Sequence, residues 1–235
     1  MSFLNAQWRK LILVNYEIDP KLLADFIPNH TELDLWNGKC YVSLVGFKFV
    51  DTKILGLKIP FHINFPEVNL RFYVKHKSGD EWKRGVVFIK EIVPKAAITI
   101  VANTLYKENY QTLPMRYDWS ENDNNLSVAY QWKYKGKWQT MKVEASKEPQ
   151  PIPKLSETEF ITEHYWGYAK INETKTYEYE VTHPIWEAYE VKGFEIDVEF
   201  GKVYGERFSF LNESEPTSVM LAEGSEITVE AMRKI

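Results

Sequence analysis

The chain has 235 residues, of which 44% are hydrophobic and 26% charged, and its net charge is -4. This composition excludes a disordered chain, and the interspersed charges, without a Lys/Arg block, argue against nucleic-acid binding. No run approaches the ~18 apolar residues of a membrane span, so we expect a soluble, cytoplasmic protein with no membrane partner.

The aromatic content points to a β-rich core. The chain carries 8 Trp, 14 Tyr and 13 Phe residues, which favour strands and supply large buried surfaces. Its single cysteine, Cys40, lies in the strand-like run "KCYVSLVGF" and is interpreted as a buried inert thiol rather than a nucleophile. No Cys/His spacing suits a zinc site, so we expect neither a metal nor a cofactor.

The first half of the chain predicts strands joined by short irregular segments. A short helix follows the first strand, because Asp19 can cap it, Pro20 suits its first position and Pro28 ends it. Strands are predicted at residues 11–16, 39–50, 65–74 and 85–93, with an irregular segment at 51–63.

The second half predicts one longer helix and a series of further strands. Apolar residues at helical spacing predict the longest helix at 94–106, and Ser156 with Glu159 matches a capping box that opens another. Strands are predicted at 115–120, 125–134, 137–145, 164–171, 174–183, 188–200, 206–212 and 218–232. Residues 1–235 are therefore interpreted as one domain of β-rich α+β class, with about a dozen strands and two or three helices.

Several stretches together resemble a known family. They include "WRKLILVNYEIDPKLLADFIP", "FPEVNLRFYV", "FITEHYWGY", "VTHPIW" and "SVMLAEGSEITV". Their order and spacing resemble the uncharacterised family known as domain of unknown function 2071. The resemblance implies an acetoacetate decarboxylase-like fold, in which an antiparallel sheet closes into a barrel or cone around a cavity. It implies no particular reaction.

The stretch "FPEVNLRFYV" alternates apolar residues with Glu67, Asn69, Arg71 and Tyr73. Residues four apart on one strand face are ~13 Å apart, so Glu67 and Arg71 cannot neutralise each other along the strand. Sequence alone favours an ordinary solvated face. The resemblance favours an enclosed face, because it implies that this strand supplies a glutamate to the cavity. Glu67 is then the first candidate catalytic acid or base, and Arg71 the anion anchor.

Acetoacetate decarboxylases use a Schiff-base lysine next to a second lysine, and this chain departs from that pattern. "KEIVPKAA" places Lys95 at the matching position, but Ala96 replaces the second lysine. Lys90 is the other candidate, because residues 86, 88, 90 and 92 would share a strand face. A solvent-directed lysine is the alternative for Lys90. Schiff-base chemistry is therefore not supported, although Lys90 and Lys95 stay candidates.

The remaining candidates are ligand-binding residues. They are Asn69, Tyr73, His164, Glu223 and Ser225; a structural role is the alternative for His164. We expect a cavity that binds a small acidic organic molecule, with three functions open. These are an enzyme acting on that molecule, a non-catalytic binding or sensor module, and a structural protein whose cavity is filled by aromatic side chains. A homo-oligomeric state is also left open.

Overall fold

A twelve-stranded, mostly antiparallel sheet and a second, four-stranded sheet make up the protein in a computed structural model that describes residues 2–235. The strands are β1 (Leu4–Glu17), β2 (Glu32–Leu33), β3 (Tyr41–Ile54), β4 (Phe65–Ser78), β5 (Glu81–Val93), β6 (Tyr110–Thr112), β7 (Met115–Glu121), β8 (Leu126–Tyr134), β9 (Lys137–Ala145), β10 (Gln150–Pro151), β11 (Trp166–Asn172), β12 (Lys175–Thr182), β13 (Glu187–Tyr189), β14 (Val191–Asp197), β15 (Ser218–Val229) and β16 (Arg233–Lys234).

The large sheet closes on itself. Its strands follow the order β15, β1, β3, β4, β5, β11 and β12, and β12 then pairs again with β15. This last pairing sets Val181 opposite Val229 and Thr182 opposite Thr228. Within residues 2–235 these seven strands form a ring in which the β5–β11 pair is parallel. The predicted β-rich fold class, with a closing antiparallel sheet, is thereby confirmed.

The alternation of side chains along the ring strands separates two cores. On β4, Val68, Leu70 and Phe72 belong to a cluster outside the ring, whereas Phe65 and Tyr73 belong to a second, inner cluster. The four-stranded sheet, in the order β14, β9, β8 and β7, covers the outer cluster. Successive residues of a strand point to opposite faces, so a strand buried on both sides must be apolar or otherwise satisfied on both.

Five short helical segments connect the strands within the described residues. Three are α-helices, named α1 (Ala96–Val101), α2 (Glu157–Thr162) and α3 (Phe200–Tyr204), and a π-helical turn (Ala102–Tyr106) extends α1. The other two are 3-10 helices, at Pro20–Phe26 and Glu206–Asn212. The helix predicted at 94–106 and the capping box are confirmed, since Ser156 Oγ accepts a bond from the Glu159 amide at 3.1 Å.

Two predicted strands near the end of the chain were wrong in part or whole. Residues 206–212 alternate in polarity, but they form a 3-10 helix that buries Phe208 and Leu211, which are three residues apart. The strand predicted at 188–200 is broken into β13 and β14, and α3 begins at its end. Gly205, with φ +116°, separates the two final helical segments and turns the chain between them.

The interpretation of Cys40 as an inert thiol is consistent with its position. The side chain is buried in the outer cluster, and burial raises the pKa of its thiol to about 11. In the described part of the chain, no helix combines the length and apolar character needed to cross a membrane.

Gly224 allows β15 to lie unusually close to β1. It has φ +79°, and a Cβ atom there would lie 2.0 Å from the Trp8 carbonyl oxygen. We expect Gly224→Ala to lower the free energy of unfolding by about 2 kcal/mol or more, because it adds backbone strain and a clash. Urea unfolding of the wild type and of Gly224→Ala measures this change in the free energy of unfolding, with Gly193→Ala as the control.

Gly193 lies in β14, and no atom of its non-adjacent neighbours in residues 2–235 is within 4 Å of a Cβ atom built there. Gly193→Ala is therefore expected to leave stability unchanged or to raise it by about 0.5 kcal/mol. Equal stabilities for the two variants would contradict the close approach of β15 to β1.

Candidate functional site

A cavity of about 510 Å³ lies inside the ring. Each of the seven ring strands contributes at least one lining residue, so the ring itself encloses the space. Most of the wall is apolar and includes Trp8, Leu11, Phe47, Phe49, Phe65, Val86 and Phe88. The aromatic residues that indicated a β-rich core therefore surround this space without filling it.

The cavity opens between two segments that join ring strands. One is the turn between β3 and β4, which contributes Ile59 and His62 to the wall. The other is α1 with its π-helical turn, which contributes Val101 and Leu105. Ile59, Val101 and Leu105 are also exposed to solvent, which locates the mouth between these two segments.

The polar face of "FPEVNLRFYV" is enclosed. Glu67, Asn69 and Arg71 of β4 all line the cavity, and each is at most 7% exposed. Arg71 Nε is buried without a hydrogen-bond partner in residues 2–235, and the guanidinium carbon lies 5.7 Å from the centre of the Tyr73 ring. A buried polar nitrogen without a partner is energetically costly, which makes Arg71 the outstanding electrostatic feature of the wall.

A β-bulge in β5 decides which of its residues face the cavity. Leu70 pairs with Lys90, but the next residue, Arg71, pairs with Phe88. The extra residue shifts the alternation by one position, so Glu91 points into the cavity and Lys90 points away from it. The premise that Lys90 shares a face with Phe88 was therefore wrong.

Neither candidate lysine reaches the cavity. The Lys90 ammonium donates a hydrogen bond to the Val203 carbonyl on the outer side of the ring, and burial lowers its pKa. Lys95 immediately precedes α1 and is only partly buried. Of the described residues, none that lines the cavity is a lysine.

Three glutamates meet on one side of the cavity, on β4, on β5 and just before β6. Glu67 accepts hydrogen bonds from Asn69 at 3.0 Å and from the Tyr110 hydroxyl at 3.1 Å. Glu108 accepts a bond from the Tyr179 hydroxyl at 2.9 Å. One carboxylate oxygen of Glu91 is buried and has no partner among residues 2–235. We refer to Glu67, Glu91 and Glu108 as the carboxyl cluster.

Burial and mutual repulsion favour the protonated forms of this carboxyl cluster. Burial raises the pKa of Glu67 to about 7, against the opposing effects of the Asn69 and Tyr110 hydrogen bonds and of Arg71. Burial, together with the charges of Glu108 and Glu67, holds the pKa of Glu91 well above its usual range. Burial also raises the pKa of Glu108 to about 8. Below pH 7 the cluster is therefore largely uncharged.

His164 lines the cavity as a neutral side chain. Its Nε2 lies 3.2 Å from an Asp34 carboxylate oxygen, and its ring lies against Tyr73 with centroids 4.6 Å apart. Burial lowers its pKa to about 4, although Asp34 opposes this effect. Its Nδ1 is buried and has no partner in the described chain. His164 therefore combines a structural hydrogen bond with a position on the cavity wall.

The other three ligand-binding candidates are held by neighbouring side chains and are not cavity-lining residues within 2–235. The Tyr73 hydroxyl lies 2.7 Å from Ser43 Oγ. Glu223 accepts a bond from Lys10 at 2.6 Å, and Ser225 Oγ accepts one from Trp186 at 2.8 Å. Glu223 and Ser225 flank Gly224, which pairs with Arg9 where β15 lies against β1.

Sequence reasoning missed Glu91 as a cavity residue and overlooked Glu108, Tyr110 and Tyr179. Glu91 enters the cavity only because of the β5 bulge, which no residue type in "VVFIKEIV" marks. Glu108 follows Lys107, a residue with φ +59° that ends the π-helical turn. In the sequence, "KENY" resembles an exposed helix end.

The fold is similar to that of acetoacetate decarboxylase-like proteins. The chain matches acetoacetate decarboxylase from Legionella pneumophila with a TM-score of 0.68 at 13% identity, over 99% of this chain and 86% of that one. An acetoacetate decarboxylase-like enzyme from Sphingomonas wittichii RW1 matches with a TM-score of 0.67 at 11% identity, over 100% and 94%. The enduracididine biosynthesis enzyme MppR, complexed with pyruvate, matches at 0.66 and 10% identity, over 100% and 91%. These similarities show the fold.

The family model for domain of unknown function 2071, described as an uncharacterized conserved protein, matches residues 5–226, and the chain belongs to that family. The uncharacterized protein YqjF of Bacillus subtilis (strain 168) is 26% identical over 185 residues. That match covers 76% of this chain and 72% of the relative. The resemblance seen in the sequence is thus confirmed.

The raised carboxyl pKa values predict a loss of stability at alkaline pH. Between pH 4.5, the ordinary value, and about 8, folded Glu108 keeps a proton that the unfolded chain has released, so stability falls as pH rises through this window. The pKa of His164, lowered to about 4, has the opposite effect below pH 6.5. We therefore expect the wild-type melting temperature to fall by several degrees between pH 6.5 and 9.

Glu108→Gln should reduce this fall, because an amide does not ionise, while Glu67 and Glu91 retain part of the effect. Glu81→Gln, at the exposed first residue of β5, should melt with the wild-type pH dependence. Thermal melts of the three proteins from pH 6.5 to 9 make the comparison. Parallel curves for wild type and Glu108→Gln would show that Glu108 ionises normally.

Proposed function

We propose that this protein binds an organic carboxylic acid in the ring cavity, with the ligand carboxylate on the Arg71 guanidinium. The observation that carries the proposal is the buried Arg71 Nε without a hydrogen-bond partner in the described residues. A guanidinium offers donors in a planar fork that matches a carboxylate. A bound carboxylate would supply the missing partner and the compensating charge.

The carboxyl cluster is compatible with an anionic ligand because it is largely protonated. Three ionised glutamates in the cavity wall would repel a carboxylate and would outweigh the single positive charge of Arg71. With the pKa of Glu67 raised to about 7 and that of Glu108 to about 8, mainly by burial, Arg71 is the dominant charge below neutral pH. Ligand affinity should therefore weaken as pH rises above these values.

An enzyme acting on the bound acid is the function that the properties of Glu67 favour. A carboxyl with a pKa near 7, raised by burial, suits general acid or base catalysis at neutral pH. Tyr110 and Asn69 orient this carboxyl by hydrogen bonds. The proton transfer would therefore be carried by Glu67, whereas a Schiff-base route has no candidate among the described lining residues, none of which is a lysine. The pyruvate complex of MppR gives a precedent for a small carboxylate in a protein of this fold.

A non-catalytic binding module would use the same cavity and the same Arg71 contact. It differs from the enzyme only in leaving its ligand unchanged, so analysis of the ligand after incubation separates the two. A structural role with a filled cavity is less well supported, because a space of about 510 Å³ remains between the aromatic side chains.

Arg71→Met tests the proposed anchor. The change keeps a long side chain but removes the charge, so carboxylate affinity should fall at least tenfold through loss of a charge-assisted hydrogen bond of about 1.5–3 kcal/mol. The variant without ligand should remain as stable as wild type or become more stable, because an unpaired buried charge is gone. A thermal-shift screen of carboxylic acids, followed by titration calorimetry, measures both effects.

Arg116→Met is the matched control. Arg116 is exposed on the second sheet and bonds Gln131, so its replacement should leave ligand binding unchanged. The proposal is contradicted if no carboxylic acid stabilises the wild type, or if Arg71→Met responds to the acids as Arg116→Met does.

A further inference from the structure

We infer that the acid bound in this cavity has an elongated apolar body, a linear alkyl or aryl chain, whose free end reaches the mouth. This inference deepens the proposed function and rests on Arg71 as the carboxylate anchor. Three independent features of the structure carry it: the size of the cavity, the distance from Arg71 to the mouth, and the apolar character of both wall and rim.

The cavity is much larger than a short acid. Its volume of about 510 Å³ corresponds to on the order of 15–20 water molecules at about 30 Å³ each. An acid of two or three carbons on Arg71 would leave most of this space as water against aromatic and aliphatic side chains. An extended apolar body would displace that water and make use of the hydrophobic wall.

Arg71 lies far from the mouth along β4. The β3–β4 turn borders the mouth and leads directly into Phe65, and the cavity wall then reads Phe65, Glu67, Asn69 and Arg71 inward. Six residues of strand at about 3.3 Å each place Arg71 roughly 20 Å from Phe65. A ligand held by its carboxylate at Arg71 must therefore be long to reach solvent.

The wall along this path suits a hydrocarbon chain. On β3, Phe49 lies opposite Phe65, and Phe47 lies opposite Glu67. Trp8 of β1 packs against both phenylalanines, with ring centroids 5.1 Å and 6.1 Å away. The carboxyl cluster borders the same path, but its groups are largely protonated below pH 7 and then carry little charge. A chain passing between these walls meets mainly apolar surface.

The rim of the mouth is apolar as well. Besides the lining residues Ile59, Val101 and Leu105, the two rim segments expose Leu57, Phe61 and Ile100, with Phe61 86% exposed. Exposed apolar residues concentrated around an opening, rather than scattered singly, indicate a site of apolar contact. Continuity between this rim and the cavity wall favours the tail of the ligand as the group that contacts it.

The test is titration calorimetry with straight-chain carboxylic acids from acetate to hexadecanoate, together with the matching primary alcohols. Affinity should rise about fourfold for each added methylene, the value for full burial of that group, until the chain reaches the mouth. Alcohols of the same length should bind at least tenfold more weakly. A series in which acetate and decanoate bind equally would overturn the inference and leave the Arg71 anchor intact.

Tryptophan substitutions at two alanines of the mouth segment make the test specific to the cavity. Ala102 lines the cavity in the π-helical turn, whereas Ala96, at the start of α1, is exposed and does not line it. Ala102→Trp should weaken binding of the longest acids at least tenfold and leave acetate unaffected, and Ala96→Trp should change neither. Equal effects of the two variants on hexadecanoate would mean that the chain binds elsewhere, and would overturn the inference.

The same titrations separate this inference from the proposed function. If affinity rises with chain length but is unchanged in Arg71→Met, the carboxylate anchor fails and the apolar cavity stands. If short and long acids bind equally well and both need Arg71, the anchor stands and the elongated ligand fails. If no acid or alcohol binds, both are overturned.

Discussion

The site depends on one constraint. A guanidinium is buried without a hydrogen-bond partner in the described residues, and the carboxyls beside it favour their neutral forms. Arg71 is 7% exposed and its Nε has no partner within residues 2–235. In most proteins such a group would be neutralised by a nearby carboxylate. Here the carboxyl cluster is itself so buried that burial raises the pKa of Glu67 to about 7, and the cavity retains an excess of positive charge below that pH.

Two features of the backbone create this arrangement. Closure of the ring through β12 and β15 removes solvent from the inner face of β4, so that its polar residues become a cavity wall. The bulge in β5 then turns Glu91 inward and Lys90 outward, replacing a potential amine with a carboxyl. A lysine facing Arg71 would add a second buried cation, whereas Glu91 completes a cluster whose members suppress one another's ionisation. The protein thus combines an acetoacetate decarboxylase-like fold with a cavity wall that carries three glutamates and one arginine.

The sequence predicted the fold class, most strands and the helix at 94–106, because alternating apolar residues and the quoted family stretches are strong local signals. The sequence alone could not show that Glu67 and Arg71 are enclosed, because polar and apolar residues alternate in the same way on a solvated sheet face and on a cavity wall. The family resemblance favoured the enclosed face, which the structure has. The bulge at Ile89 depends on pairing between strands, and the inward turn of Glu108 depends on the backbone turn at Lys107; residue order reveals neither. Residues 206–212 show the converse error, where alternation without strand partners gave a 3-10 helix.

The ionisation state of the carboxyl cluster is the central claim, and nuclear magnetic resonance of protein labelled with ¹³C at the glutamate side-chain carboxyl tests it directly. The account predicts that the Glu67 resonance, assigned by its loss in Glu67→Gln, titrates near pH 7. It also predicts that the Glu108 resonance, assigned through Glu108→Gln, titrates near pH 8, and that adding a bound carboxylic acid raises both values. Titration of both resonances near pH 4.5, unchanged by ligand, would contradict it.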